Sequence, residues 1–271
     1  MRPVFSIVTV ILNPTREDLM ATLQSVLDQD CGDWELIIKD GGSSESTLAA
    51  IPQDPRIRII RSRDNGVFDA MNQSLEHARG EWVCFLNAGD FFPHRKSLAM
   101  IVDYARRDEA IEFLYTDVAK PSSRSGYERY PDQLRRAYLF SHMICHQAWF
   151  VRSSYYQRAA RYETKEVSGA DRRFLLRMVL VDTVAHCHVP YVLVTYKGGG
   201  ISQRPDLRVK AEQWIDEMLR ELYSDHEYCV FMKRLRRMAL VKRWLYDTGA
   251  WRLLRLSRSF RSDKAPIGAE R

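Results

Sequence analysis

The chain has 271 residues, 45% of them apolar, with 41 basic and 35 acidic side chains. This length and composition predict a globular protein with a full hydrophobic core, built as one large domain or two small ones. Apolar runs such as residues 5–12 are shorter than the roughly 20 residues of a membrane-spanning helix. No signal-like apolar stretch follows Arg2, so we expect a cytoplasmic protein without a transmembrane helix.

The cysteines and histidines do not form a metal-binding or disulfide pattern. The five cysteines are odd in number and contain no Cys-x-x-Cys pair, which argues against a disulfide framework and a cysteine-rich zinc site. In the triplet His186-Cys187-His188 neighbouring side chains would point to opposite faces of a strand, so they cannot all reach one ion. We therefore expect free thiols.

Strands and helices are predicted to alternate over the first ninety residues. Continuous apolar runs predict strands at 5–12, 34–39, 57–60 and 82–86. Apolar side chains at helical spacing predict helices at 16–29, 44–50 and 68–78. This alternation implies right-handed crossovers and an α/β fold, a mostly parallel open sheet flanked by helices.

The rest of the chain is less regular. We predict a helix at 98–107, a strand at 112–118, a helix at 170–179 and a strand at 191–196, followed by amphipathic helix after Pro205. The expected organisation is a domain over residues 1–205, with a first half to about residue 97 and a second half from 98, and a basic helical tail over residues 206–271.

Polar residues and glycines follow each predicted strand of the first half. In open parallel sheets ligands bind beyond the carboxyl ends of the strands, so these residues should line one cleft. They are Asn13, Asp40, Gly41, Asp64, Asn87 and Asp90. Asp90 is a plausible ligand for Mg²⁺ or Mn²⁺ bridging a diphosphate, or else a helix cap.

Two further groups near this edge are candidates for nucleotide binding. Asp40 and Gly41 would hydrogen-bond a base or ribose, or form an ordinary turn. Asp64 lies in a turn sequence. Asp69 and Asn72 share one face of a helix that starts at the cleft, although polar residues are also common at helix starts.

The second half contains four further candidate site residues. Asp171 begins a predicted helix, where it would be a cap or the general base that takes a proton from an acceptor hydroxyl. His146 and Gln147 stand in an apolar run and would be either core residues or sugar contacts. Arg204 would close over a leaving diphosphate or lie in a flexible loop.

The tail is strongly basic. Ten lysines and arginines lie between residues 233 and 261, with Asp247 as the single carboxylate among them. Leucines and tryptophans alternate with these cations, which favours an amphipathic helix over residues 229–261 lying on an anionic membrane, against a solvated surface helix. A peripheral location on the inner face of the cell membrane is the expectation.

Together, five sequence blocks resemble glycosyltransferase family 2 in their order and spacing. The blocks are residues 5–13, 35–44, 64–72, 80–90 and 145–150. The resemblance implies a GT-A (Rossmann-like) fold, an inverting mechanism, a nucleotide-diphosphate sugar donor, with UDP the first expectation, and a Mn²⁺ or Mg²⁺ ion. The subgroup with the sequence Leu-Asn-Ala-Gly-Asp acts in bacterial exopolysaccharide, capsule and lipopolysaccharide assembly, which implies a glycan or lipid-linked acceptor.

The resemblance also implies roles for single residues. Asp40 is similar to the nucleobase-contacting aspartate, Asp90 lies in the place of the metal-binding DxD motif, and Asp171 is similar to the catalytic base. The chain departs from the family at two places. Gly89 stands where many members have an acidic residue, and Arg172-Arg173 follow Asp171 where an aromatic residue and a second acid are usual.

Other functional classes remain as alternatives. A catalytically degenerate family member is compatible with both departures. A nucleic-acid-binding protein would use the basic tail, but carboxylates along a cleft repel phosphate unless a metal intervenes, so no nucleic-acid partner is expected. A dinucleotide-dependent oxidoreductase is disfavoured because Gly-x-Gly-x-x-Gly does not follow the first strand.

Overall fold

The computed structural model describes residues 2–123, 125–159, 161–166, 168–200 and 204–247, and of residues 242 and 244–247 it describes the backbone alone. In chain order the strands are β1 (Phe5–Ile11), β2 (Trp34–Asp40), β3 (Ile57–Arg61), β4 (Trp82–Phe85), β5 (Phe113–Ala119), β6 (Tyr127–Glu128), β7 (Trp149–Arg152) and β8 (His186–Thr195). The α-helices are α1 (Arg16–Leu27), α2 (Glu45–Ala49), α3 (Val67–Leu75), α4 (Ser97–Ala105), α5 (Arg136–Leu139), α6 (Ser153–Arg158), α7 (Ala170–Leu176), α8 (Pro205–Leu222) and α9 (Asp225–Asp247).

All eight strands join one sheet in the order β3-β2-β1-β4-β7-β5-β6, with β8 paired to β5. β1 pairs in parallel with β2 and β4, β2 with β3, and β5 with β8, while β7 lies antiparallel between β4 and β5. The α/β fold with an open, mostly parallel sheet is therefore confirmed. Because Ile11 is opposite Asp40 and Asp40 is opposite Arg61, neighbouring strands end at one common edge.

Hydrophobic burial explains why β1 and β2 form the centre of this sheet. Helices cover the sheet, and both faces of these strands are buried. The fully buried side chains include Phe5, Ile7, Val8, Leu36, Ile37 and Ile38. Burying each such side chain stabilises the fold by about 1.5–3 kcal/mol relative to an exposed position.

Helix α1 combines an apolar face with a buried polar stripe. Its N-cap is Thr15, whose side chain accepts the Asp18 N–H, in keeping with the preference for hydroxyl caps. Thr22 and Ser25 on α1, and Gln29 just after it, all bond the segment that follows β4. Ser25 Oγ accepts a hydrogen bond from the Phe92 N–H at 3.2 Å, and Gln29 Oε1 accepts the Leu98 N–H at 3.0 Å.

The structure differs from the predicted elements mainly in the second half. β7 was not predicted because its four residues are too few to show a period. β8 begins at His186, five residues before the predicted strand, because its polar start is buried against other strands. The predicted helix at 170–179 is α-helical only to Leu176 and continues as a π-helix over Arg177–Val181.

Two compact units divide the chain, Met1–Leu222 and Tyr223–Arg271. Helix α8 belongs to the first unit, where Arg173 donates to the Trp214 carbonyl at 2.8 Å. Helix α9 belongs to the second unit, and residues 248–261 of the predicted basic tail lie outside the described residues. The C-terminal helices confirm the helical extension, and the predicted boundary at residue 205 stays a prediction. Among the described helices, none has the length and apolar composition needed to cross a bilayer.

Candidate active site

The ends of β1 and β2 meet at a serine turn. Asn13, in the left-handed region at φ 48°, donates its N–H to Ser43 Oγ at 2.8 Å, and its Oδ1 accepts the Ser44 N–H at 3.1 Å. Asp40 Oδ1 accepts the Ser43 N–H at 2.8 Å. Burial alone would raise the pKa of Asp40, but hydrogen bonds from Ser43 and the charge of Arg61 lower it on balance. Asn13 and the ionised carboxylate of Asp40 are therefore brought together at the Ser43 turn.

Asp64 is held by a buried cation that the sequence analysis missed. Lys39 is 0% exposed, and its Nζ donates to Asp64 Oδ2 at 2.8 Å and to the Ser62 carbonyl at 2.7 Å. A Cβ on Gly41 would lie 2.7 Å from Asp64 Oδ2. This distance is below van der Waals contact, so a side chain at position 41 would displace the Asp64 carboxylate. Lys39 was missed because it lies inside an apolar strand.

Asp69 and Asn72 lie on α3, as predicted, and both are already engaged by protein groups. Asp69 Oδ2 accepts hydrogen bonds from the Asn65 N–H at 2.8 Å and from Gln73 Nε2 at 3.2 Å. Asn72 Nδ2 donates to the Tyr162 carbonyl at 2.8 Å, and Asn72 Oδ1 accepts the Tyr162 N–H at 3.0 Å. Asn72 therefore ties α3 to the segment before α7, and nucleotide contact by either residue stays a prediction.

The turn from Asn87 to Asp90 is held from α1 by a buried hydroxyl. Thr22 is 0% exposed, and its Oγ1 accepts the Gly89 N–H at 2.9 Å and donates to the Asp90 carbonyl at 2.8 Å. The Asp90 N–H also donates to the Asn87 carbonyl at 2.9 Å. Thr22 was not predicted as a site residue, although a polar side chain on the apolar face of α1 is a signal that was available.

The Asp90 carboxylate lies deep in this turn, with 4% of the residue exposed. Burial raises its pKa to about 7, the charge of Asp18 acts in the same direction, and hydrogen bonds from the Lys197 N–H and the Gln147 side chain oppose the rise. The Lys197 N–H reaches Asp90 Oδ1 at 2.9 Å. A nearby cation would favour the ionised form of such a carboxylate.

The oxygen atoms at this turn fit a hard divalent cation. Asn87 Oδ1 is buried and has no hydrogen-bond partner within the described part of the chain, and the buried Asp90 belongs to the same turn. Carboxylate and amide oxygens are ligands that Mg²⁺ and Mn²⁺ accept, with phosphate and water completing the shell. The described residues include no group of three or more His, Cys, Asp or Glu side chains able to hold a metal by themselves.

His146 is a core histidine next to the site. Its Nε2 hydrogen-bonds with the Tyr162 hydroxyl at 2.7 Å, and its ring stacks on Phe85 at a centroid distance of 5.4 Å. Burial lowers the pKa of His146 to about 3, so the ring is neutral. Gln147, in contrast, reaches Asp90 and accepts from the Cys145 thiol at 3.1 Å. Of the two, Gln147 is the one placed beside the strand-end carboxylate.

Asp171 lies in the first turn of α7. Its Oδ1 accepts the Arg172 N–H at 2.9 Å, and burial raises the pKa of its carboxyl group above the usual value. A carboxylate with a raised pKa binds a proton more readily, which suits a general base.

The two arginines after Asp171 bond to the surrounding fold. Arg172 Nη2 donates to the Phe140 carbonyl at 2.8 Å, and Arg173 Nη1 donates to the Trp214 carbonyl at 2.8 Å. Arg173 also pairs with Glu163 at 3.1 Å. These contacts give both arginines a packing role.

Arg204 is exposed at the start of α8, where its Nη2 pairs with Asp206 Oδ2 at 2.7 Å. Residues 201–203, which join it to the glycines at 198–200, lie outside the described residues. A diphosphate contact by Arg204 stays a prediction.

A second polar cluster lies between β5 and β8 and was not predicted. His188 Nε2 bonds Asp117 Oδ1 at 2.9 Å, and His188 Nδ1 bonds Asp132 Oδ1 at 2.8 Å. Burial alone would lower the pKa of His188, but the two carboxylates raise it on balance. Tyr115 stacks on the ring at 5.1 Å. An imidazolium satisfies both acceptors at once, because both of its nitrogens donate.

Comparison with known proteins assigns the family. The family model described as "Glycosyl transferase family 2" matches residues 6–174. Over 206 residues the chain is 33% identical to a protein named "PGL/p-HBAD biosynthesis glycosyltransferase" in Mycobacterium bovis (strain BCG / Pasteur 1173P2), a match that covers 74% of this chain and 79% of that protein. A protein of the same name in Mycobacterium tuberculosis (strain ATCC 25177 / H37Ra) gives the same values.

Solved structures share the fold at low identity. The mannosyltransferase PcManGT from Pyrobaculum calidifontis, in complex with GDP-Man and Mn²⁺, has a TM-score of 0.62 and 16% identity, covering 98% of this chain and 77% of that one. S. aureus TarS 1-349 in complex with UDP-GlcNAc has a TM-score of 0.59 and 15% identity. This match covers 72% of our chain and 59% of the S. aureus chain, less than two thirds. The chain belongs to glycosyltransferase family 2 and has the GT-A fold.

Proposed function

We propose that the chain transfers a sugar from a nucleotide-diphosphate sugar, with UDP as the first expectation, to a hydroxyl of a glycan or lipid-linked acceptor in bacterial surface polysaccharide biosynthesis. The observation that carries the proposal is the common strand edge, where Asp40, Asn87 and Asp90 follow parallel strands. Neighbours of the same fold bind UDP-GlcNAc and GDP-Man, and a relative is named a PGL/p-HBAD biosynthesis glycosyltransferase, which supports sugar transfer from a nucleotide-sugar donor.

The proposed reaction is a single displacement with inversion. Asp171 takes the proton of the acceptor hydroxyl as its oxygen forms a bond to the anomeric carbon, and the bond from that carbon to the diphosphate breaks. Asp40 binds the nucleotide base, with Asn13 and Gly41 beside it. Asp90 and Asn87 would hold a Mn²⁺ or Mg²⁺ ion, which when bound neutralises charge on the departing diphosphate. Gln147 contacts the sugar from its place beside Asp90.

Nucleotide binding and turnover test this proposal. Thermal shift with UDP, GDP, dTDP and CMP, each with and without Mn²⁺, should show one nucleotide raising the melting temperature, and more so with Mn²⁺, because a ligand of the native state stabilises it. Slow release of that nucleotide from its sugar conjugate should follow. If a nucleotide binds and no conjugate is ever turned over, a catalytically degenerate family member becomes the better description.

We also propose that the basic tail binds an anionic membrane. On α9 the exposed apolar side chains include Val230, Leu240 and Val241, and the cations Lys233, Arg234 and Arg237 share one face of the helix with Val230, Met238 and Val241. Such an arrangement suits the boundary between acidic headgroups and acyl chains. This would place the enzyme on the inner face of the cell membrane, next to a lipid-linked acceptor.

Vesicle flotation tests the membrane proposal. The full chain should float with vesicles containing acidic lipid and not with neutral vesicles, and Arg234→Glu with Arg237→Glu should reduce this binding. Equal flotation on both kinds of vesicle would remove the electrostatic part of the proposal.

A further inference from the structure

Two residues far apart in the chain meet at the turn that carries Asp90. Lys197 Nζ donates to Asp18 Oδ1 although the two residues are 179 positions apart. The backbone holds both to the turn, because the Lys197 N–H donates to Asp90 Oδ1 at 2.9 Å and the Gly89 N–H donates to the Asp18 carbonyl at 3.1 Å. The pair thus has a defined position relative to Asp90.

The pair occupies the space next to Gly89, where a side chain would be in other family members. A Cβ on Gly89 would lie 3.1 Å from Lys197 Cδ and 3.3 Å from Asp18 Oδ1. Gly89 also has a φ of +97°, which disfavours any other residue. The carboxylate of Asp18 therefore lies where an acidic side chain at position 89 would begin.

We propose that Asp18 supplies the second carboxylate of the divalent-cation site, in place of an acid at Gly89, and that the Lys197 ammonium neutralises this carboxylate until the cation binds. The inference rests on the proposed function, since it concerns the cation that accompanies the donor. Asn87 Oδ1, which is buried at the same turn without a partner among the described residues, is a third oxygen available to that cation.

The charge that balances Asp18 differs with and without a bound cation. Without a cation, the ammonium of Lys197 offsets the negative charge of Asp18 close to Asp90. A divalent ion takes over that role at Asp18 and leaves the Lys197 ammonium available to diphosphate oxygens. Ion pairs as exposed as this one, with 54% and 22% of the two side chains exposed, contribute little to stability, so a purely structural role explains the placement less well.

Direct measurement of Mn²⁺ binding tests the inference without reference to activity. The full chain, saturated with UDP, is titrated with Mn²⁺, and free Mn²⁺ is followed by its electron paramagnetic resonance signal. Asp18→Asn should raise the apparent Kd for Mn²⁺ about tenfold or more, because even partners outside the ligand shell change affinity by 10–100-fold. Lys197→Met should bind Mn²⁺ at least as tightly as the wild type, because the competing ammonium is gone.

Glu17→Gln is the matched control. It removes the same charge from the same first turn of α1, but its side chain is exposed, so its Kd should stay within about twofold of the wild type, within the range of small surface electrostatic effects. Asp18→Glu should keep most of the affinity for Mn²⁺. If circular dichroism shows that Asp18→Asn does not fold, Asp18→Glu is the variant that tests the inference.

Three results would overturn the inference: wild-type affinity in Asp18→Asn, an equal loss in Glu17→Gln, or no Mn²⁺ binding by the wild-type protein with UDP. They are separable from a failure of the proposed function, in which no nucleotide stabilises the wild-type protein at all. If UDP binds normally and Asp18→Asn keeps its Mn²⁺ affinity, the transferase proposal stands and Asp18 is only a partner of Lys197.

Discussion

The strand edge of the first half and the polar clusters of the second half satisfy their hydrogen bonds differently. At the edge, Asn87 Oδ1 is buried without a partner among the described residues, and Asp90 is buried with a raised pKa. In the second half, Tyr162 links His146 to Asn72, and His188 bonds two carboxylates. Those groups are engaged by one another.

The contrast separates residues that can receive a ligand from residues that hold the fold. A buried polar atom left unsatisfied costs about 1–3 kcal/mol, so a ligand that bonds Asn87 Oδ1 would recover this cost. A cluster whose hydrogen bonds are already made within the protein gains nothing from a ligand. It instead holds its chain segment in one position. Asp171 lies between these cases, since the residue is half-buried and its carboxylate accepts a hydrogen bond from its own helix.

Asp171→Asn should have the largest effect on the reaction. It tests whether Asp171 belongs with the residues that receive a ligand or with those that hold the fold. We expect transfer, or hydrolysis of the donor with water as acceptor, to fall by about 10²–10⁴-fold, while the affinity for nucleotide is unchanged. The raised pKa of Asp171 predicts that wild-type activity is lost as the pH falls through it, because the base must be ionised. Single-turnover rates against pH measure both effects.

Asp90→Asn is the comparison for that variant. It should weaken the Mn²⁺-dependent part of nucleotide binding, which Asp171→Asn leaves intact. Full activity of either variant, with wild-type melting behaviour, would remove that residue from the mechanism.

Thr22→Val tests whether the strand-end turn depends on α1 for its shape. The substitution keeps the size of the side chain but leaves the Asp90 carbonyl without its hydroxyl partner and the Gly89 N–H with the Asp18 carbonyl alone, so the free energy of unfolding should drop by about 1–3 kcal/mol. Urea denaturation measures it. Thr22→Ser keeps the hydroxyl and should lose less of this stability. Equal stability of Thr22→Val and wild type would show that the turn from Asn87 to Asp90 keeps its shape without the hydrogen bonds from Thr22.

His188→Gln tests the satisfied side of the contrast. The pKa of His188 is raised in the folded state, so its stabilising contribution is complete below the unfolded pKa near 6.5 and is lost as the pH rises through the folded value. Losing its charged hydrogen bonds should cost about 1.5–3 kcal/mol. The stability difference between wild type and variant should therefore be larger at pH 6 than at pH 9; the reverse order would contradict a protonated His188.

Local patterns were sufficient for the first half of the fold and much less so for the second. The strands at 34–40 and 82–85 follow directly from apolar runs, because both faces of a parallel strand are covered. Asp40 and Asp90 were found because polar residues that follow such runs must lie at one edge. The polar start of β8 hid a strand, since His188 is buried only with the help of Asp117 and Asp132.

The sequence by itself determined the α/β class and the edge of the sheet where we expect the ligand, because both depend on local periodicity and on residues next to strand ends. The family followed from the resemblance of five sequence blocks. Tertiary structure alone decided which side chains meet there. Thr22 lies 67 residues from Gly89, and Asp18 lies 179 residues from Lys197. Contacts over such separations depend on how α1 and the end of β8 pack on the turn, which no local period records.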